Sequence, residues 1–158
     1  MCGIIGIFQP YRQNNHILSD LIQTIKHRGP DNTGIWHNKN VSLGSTRLKV
    51  VDFDEKSNQP FVSNNKRYVM VYNGEIYNHQ ILKKKYKIKT KTKSDTEIII
   101  ELFSKLGEKC FNLFDGMFSI AIFDIIKCKL YLSRDPFGIK PLYYSIKNKK
   151  LIFCSEIK

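Results

Sequence analysis

The sequence predicts an α+β protein in which strands outnumber helices, and three observations carry that prediction. Short runs rich in Ile, Val, Tyr and Phe recur between Gly, Pro and Asn breakers, as strands do. Only a few segments space their apolar residues at i, i+3 and i+4. The two kinds of segment do not alternate strictly, which argues against a doubly wound parallel sheet. With 158 residues and 42% hydrophobic content, one domain over 1–158 is expected, with room for a real core.

Taken in order, Cys2-Gly3-Ile4-Ile5-Gly6-Ile7-Phe8 reads as a first strand closed by Gln9-Pro10. Asn14 or Asn15 can cap a helix in which Ile17, Leu18, Leu21, Ile22 and Ile25 recur at helical spacing, running to about Lys26. His27-Arg28-Gly29-Pro30-Asp31 breaks it. Strands are expected at Thr33–Trp36, Val41–Thr46 and Arg67–Tyr72, with a loop from Asp52 to Pro60. The Arg67–Tyr72 strand runs straight into Asn73-Gly74-Glu75, and a short helix over Asn78–Lys85 follows. Ser94-Asp95-Thr96-Glu97 has the form of a capping box before an apolar helix that ends at Gly107. A second short helix is expected over Glu108–Phe114. The remainder reads as β: Met117–Phe123, Lys129–Ser133, Leu142–Ile146 and Leu151–Cys154, with turns at Gly116, Pro136-Phe137-Gly138 and Asn148.

Composition excludes several classes. The apolar start is too short for a membrane span and has neither a basic leader nor a small-residue cleavage pattern, so no membrane association is expected. Cys2, Cys110, Cys128 and Cys154 form no CxxC pair and no Cys/His cluster with zinc spacing, so no metal site is expected; reduced thiols in a cytoplasmic protein fit better. The net charge of +12 raises nucleic acid as a partner. The excess is lysine, concentrated between Lys83 and Lys93, whereas phosphate and base readers favour the arginine fork. No recognition helix or stacking platform accompanies it, so a solvated basic loop is the better reading. Neither a Walker loop nor a GxGxxG cradle is present.

Chemistry is suggested first by Cys2. If Met1 is removed, Cys2 carries both a thiol and a free α-amine, a base with a reference pKa of about 7.7–8.0 beside a thiol of about 8.5. A terminal cysteine can thus supply nucleophile and base together; His27 is the alternative base. Asn73-Gly74 is by default a hairpin turn, but an amide side chain and an unobstructed backbone N–H also suit an oxyanion hole. Asp95 is acidic at a helix start, where the dipole favours it. With Ser94 as the cap, its carboxylate is left to meet an ammonium group. Arg47, otherwise a surface residue, has the geometry to grip a carboxylate.

These pieces together resemble the class II (N-terminal nucleophile) glutamine amidotransferase domain, and specifically the glutaminase half of asparagine synthetase. The matching stretches are Met1–Gly6, His27–Asp31, Thr46–Asp52, Gln59-Pro60, Tyr72–His79, Ser94–Glu97, Gly116–Phe118, Arg134–Tyr143 and Ser155-Glu156, in family order over essentially the whole chain. Sister families acting on sugar phosphates or phosphoribosyl substrates resemble it less, chiefly around Gly74–Asn78.

The resemblance implies a four-layer αββα sandwich of two antiparallel sheets, the N-terminal nucleophile hydrolase type. It implies Cys2 as nucleophile, Asn73 and the Gly74 N–H as oxyanion hole, Arg47 on the α-carboxylate of L-glutamine, and Asp95 with Glu75 around its α-amino group. Backbone atoms of Leu48, Lys49, Val50 and Val51 would line the same pocket. The implied reaction needs no cofactor and no metal. In the family, ATP and Mg serve a synthetase domain with a Ser-Gly-Gly loop, which receives the ammonia; no such loop occurs here, so that partner is expected to be a separate domain or subunit. The competing expectation is a catalytically silent glutamine-binding or interaction module, the state that retained Met1 would impose.

Overall fold

Period-two alternation sorts the strand residues into inner and outer faces in the computed structural model, which describes residues 2–9, 16–48 and 55–157. One sheet contains β1 (Gly3–Phe8), β2 (Asn32–His37), β3 (Val41–Arg47), β8 (Tyr143–Lys147) and β9 (Lys150–Cys154), in the order β2-β3-β1-β9-β8. The other contains β4 (Phe61–Val62), β5 (Tyr68–Ile76), β6 (Gly116–Asp124) and β7 (Lys129–Arg134), in sequence order. All neighbouring strands pair antiparallel.

Val69 and Val71 of β5 and Ala121 and Phe123 of β6 meet Ile4, Leu43 and Phe153 of the first sheet in a core between the sheets. The alternate residues Met70, Tyr72, Ile120 and Ile122 face outward, under α2 (His79–Lys85) and α3 (Asp95–Leu106). On the far side, Leu18 and Ile22 of α1 (His16–Gln23) cover Ile5 and Ile7. The result is the expected sandwich of helix, sheet, sheet and helix. Among the described residues, no helix is long and apolar enough to cross a membrane.

Several boundaries differ from the sequence expectation for local reasons. α1 stops at Gln23, because the N–H groups of Thr24 and Ile25 turn to the carbonyls three residues back, Leu21 and Ile22. Lys26–Arg28 then form a 3₁₀ turn. The segment after α3 is likewise 3₁₀, over Gly107–Leu113. Asn73-Gly74 makes no turn at all: both lie inside β5, paired with Ser119 and Phe118 of β6. Gly116, expected as a turn, begins β6. The capping box is half formed. Ser94 Oγ accepts from Thr96 N–H at 3.2 Å, but Glu97 turns away to accept from the N–H groups of Lys91 and Thr92. Glu97, 1% exposed, thereby ties down the lysine-rich loop after α2, whose Lys87, Lys89 and Lys93 are solvated. The caps proposed at Asn14 and Asn15 lie outside the described residues.

Candidate active site

The first described residue meets the end of β3. Leu48 N–H donates to Cys2 Sγ at 3.4 Å, and Cys2 Sγ–H reaches Leu48 O at 3.7 Å. β1 brings them together because Gly3 pairs with Thr46. A Cβ on Gly3 would approach Thr46 Oγ1 to 2.7 Å, so only glycine permits this spacing without a shift. Cys2 O is held in turn by Arg28 Nε at 3.1 Å.

Cys2 lines a cavity of about 220 Å³ at the end of the two sheets, together with Arg47, Leu48, Asn73, Gly74, Glu75 and Asp95. At roughly 30 Å³ per liquid water, that is room for one small molecule the size of an amino acid. Its wall carries both charges: cations Arg47 and Lys140, carboxylates Glu75 and Asp95. Arg47 is 7% exposed and donates through Nη1 to Asn58 Oδ1 at 2.7 Å. Asp95 Oδ2 accepts from the Tyr72 hydroxyl at 2.7 Å and from Ile76 N–H at 3.1 Å, which staples the start of α3 onto β5. Burial and then the adjacent Asp95 carboxylate push the Tyr72 phenol well above its ordinary range, keeping it a hydrogen-bond donor.

Two donors on β5 stand ready for an oxygen. Asn73 is 2% exposed, and its Nδ2 has no hydrogen-bond partner. A buried amide left so costs about 1–3 kcal/mol and signals a place for an absent acceptor. Gly74 is the second. Phe118, its partner across the ladder, uses both N–H and C=O on Asp135, so Gly74 directs its own N–H away from β6. On that edge Tyr72 N–H is taken by Gln59 Oε1 and Ile76 N–H by Asp95. The Gly74 N–H falls between them. Its φ of +157° and the 2.1 Å approach that a Cβ would make to Met117 O restrict the position to glycine.

The fold thus brings together Cys2, Arg47, Leu48, Asn73, Gly74, Glu75 and Asp95. Lys49, Val50 and Val51 lie outside the described residues. His27 does not line the cavity: its Nε2 meets Glu156 Oε1 at 2.9 Å on a half-exposed surface. Gln59, Tyr72 and Lys140 line the cavity without having been expected there. Lys140 is carried by the loop after β7, which Asp135 organises by accepting from the N–H groups of Ile139, Lys140 and Phe118. No local sequence signal marked it, because Pro136-Phe137-Gly138 reads only as a turn. Among the described residues, no three His, Cys, Asp or Glu side chains cluster as a metal site would require.

Several known proteins are similar to this chain. The putative glutamine-hydrolysing asparagine synthetase 2 of Methanocaldococcus jannaschii is 39% identical over 180 residues, covering 100% of this chain and 34% of that protein. Asparagine synthetase B of Escherichia coli is 35% identical over 164 residues, covering 100% of this chain and 29% of its own length. The chain therefore spans about a third or less of these relatives. The solved glutamine phosphoribosylpyrophosphate amidotransferase of Bacillus subtilis, complexed with ADP and GMP, superposes with a TM-score of 0.82 at 20% identity, covering 98% of this chain and 42% of that one. That likeness shows the fold, two antiparallel sheets layered between helices. The family described as "Glutamine amidotransferase domain" matches residues 1–158, and the chain belongs to it.

Proposed function

We propose that this domain hydrolyses L-glutamine to glutamate and ammonia through a thioester on Cys2, as the ammonia-supplying half of an asparagine synthetase-like system. The observation that carries the reading is the buried, unpartnered Asn73 Nδ2 in the same cavity as the Cys2 thiol. The α-carboxylate of glutamine meets Arg47 and the backbone that follows it, and its α-ammonium meets Asp95 and Glu75. The side-chain amide then lies against Cys2. The thiolate attacks the amide carbon, and charge develops on an oxygen that Asn73 Nδ2 and the Gly74 N–H receive. The Cys2 amine passes the proton it took from the thiol to the departing ammonia. Water adds to the γ-glutamyl thioester, releasing glutamate and restoring the thiol. ATP and Mg belong to the synthetase domain or subunit that consumes the ammonia, not to these steps.

The test is glutamate release by protein whose Cys2 terminus has been verified by mass spectrometry, with and without a glutamine-directed thiol-alkylating inhibitor. Turnover that the inhibitor and Cys2→Ala both abolish is expected. Wild-type turnover by Cys2→Ala overturns the mechanism. Glutamine binding without turnover, on chain with a free Cys2 amine, identifies a silent binding module instead.

A further inference from the structure

The proposed reaction gives Glu156 no role, yet it stands one side chain away from the nucleophile: it meets Arg28, and Arg28 meets Cys2. A chain terminus is poorly ordered unless something ties it down, and a terminal Cys2 has covalent support on one side only. Its carbonyl is fixed by Arg28 Nε at 3.1 Å. The Arg28 side chain is 9% exposed. Its Nη1 donates to Glu156 Oε1 at 2.8 Å, while its Nη2 is buried with no hydrogen-bond partner. Glu156 is therefore the acceptor that sets the guanidinium plane. The same short stretch also grips the strand behind the nucleophile. Ile4 N–H donates to Ser155 Oγ at 3.0 Å, Ser155 N–H donates to Ile4 O at 2.9 Å, and Ile5 pairs with Cys154.

We propose that Glu156 is a positioning residue for the reaction: by anchoring Arg28 it fixes the Cys2 carbonyl, and with it the direction in which the Cys2 thiol and amine face the substrate. The inference rests on Cys2 being the nucleophile. Neither Arg28 nor Glu156 lines the cavity, so loosening them leaves the glutamine contacts at Arg47 and Asp95 in place. The prediction is a defect in attack and not in binding. Displacement of a reacting group by about 1 Å lowers a rate by on the order of 10²-fold.

The experiment compares wild type, Glu156→Ala, Glu156→Gln, Arg28→Ala and the Arg28→Ala/Glu156→Ala double variant, each with a verified Cys2 terminus. Glutamine turnover and the alkylation rate of Cys2 by iodoacetamide are both measured. Glu156→Ala is expected to lower kcat by about 10- to 100-fold with KM nearly unchanged. Glu156→Gln keeps an acceptor oxygen for Arg28 and is expected to recover most of the loss. In the Arg28→Ala background, Glu156→Ala is expected to add nothing, because the two act as one unit. Wild-type kcat in Glu156→Ala overturns the proposal, as does a loss that is fully additive with Arg28→Ala. A loss shared by kcat, KM and thermal stability without rescue by Glu156→Gln also overturns it, by showing a purely structural role. If the wild type does not turn over glutamine, the functional reading fails separately. The alkylation rates then decide this proposal: equal rates in wild type and Glu156→Ala overturn it.

Discussion

The Tyr72 hydroxyl donates to Asp95 Oδ2 at 2.7 Å, and this bond joins the strand that carries Asn73 and Gly74 to the helix that begins at Asp95. Ile76 N–H holds the same oxygen at 3.1 Å. Removing the hydroxyl leaves Asp95 with one anchor. A hydrogen bond to a charged group contributes about 1.5–3 kcal/mol, so Tyr72→Phe is expected to raise the KM for glutamine by on the order of tenfold with kcat little changed. Asp95→Asn, which also removes the charge, raises it further. Steady-state kinetics separates this uniform-binding loss from a chemical one.

The unpartnered Asn73 amide predicts opposite signs for activity and stability. Removing one oxyanion donor costs about 10²–10³ in kcat, which is the expected effect of Asn73→Ala on glutamate release. The same substitution relieves a buried amide whose Nδ2 hydrogens have no acceptor. Its thermal unfolding midpoint is therefore expected to equal or exceed that of the wild type, as at other sites where function holds strain. A large loss of stability in Asn73→Ala would show that Nδ2 has an acceptor after all.

Gly74 shows where sequence reasoning stopped short. Asn-Gly is the strongest short hairpin signal, and nothing local distinguishes a hairpin from a strand that kinks. What decides the matter is β6, some forty residues on, which pairs with β5 straight through the dipeptide. The Ser94-Asp95-Thr96-Glu97 stretch was legible as a helix start, since the N-cap is local. The destination of Glu97 was not, because the Lys91 and Thr92 N–H groups compete for it through a loop conformation that no pattern encodes. Lys140 was invisible as a cavity residue for the same reason: the Asp135 loop delivers it from the far edge of the second sheet. Cys2, Arg47 and Asp95 were legible because they sit in ordered motifs, and the antiparallel layers because alternation is a backbone property.

Gly74→Ala is expected to fail by strain rather than by lost chemistry. A Cβ at this position would lie 2.1 Å from Met117 O and 2.7 Å from Phe118 Cα, backbone atoms that can move only by opening the β5–β6 ladder. Forcing such backbone costs on the order of 1–3 kcal/mol before any clash is counted. At about 2–4 °C per kcal/mol for a chain of this size, the unfolding midpoint should fall by at least several degrees in calorimetry.

Asp135 ties the acid stability of the fold to the cavity wall. Burial pushes its carboxyl up, but hydrogen bonds from the N–H groups of Lys140, Ile139 and Phe118 outweigh that, and the folded pKa lies below the usual 3.8. A group depressed on folding contributes stability that is present above its unfolded pKa and is lost as pH falls through the folded one. Asp135→Asn is expected to be less stable than wild type at pH 7, with the difference shrinking below about pH 4. Because Lys140 lines the cavity from the same loop, glutamine turnover should fall as well. Denaturant titrations at pH 7 and pH 3 provide the check.

At alkaline pH the sign reverses. Burial raises the Cys110 thiol from 9.0 to about 12, and it sits fully enclosed beneath the outer helices. Tyr72 is raised as well, by burial and by Asp95. In both residues folding favours the protonated, neutral form. The unfolded chain releases these protons first, so their contribution is complete below the unfolded pKa and disappears as pH rises toward the folded one. For Cys110 the window runs from about pH 9 to about pH 12; for Tyr72 it opens near pH 10. Stability of the wild type is therefore expected to fall steeply with pH above 9. Cys110→Ala, though less stable at pH 7 for want of packing, should show a shallower fall between pH 9 and 11. Equal slopes for the two proteins in pH-stepped thermal melts would mean that the Cys110 thiol ionises in the folded protein as readily as in the unfolded chain.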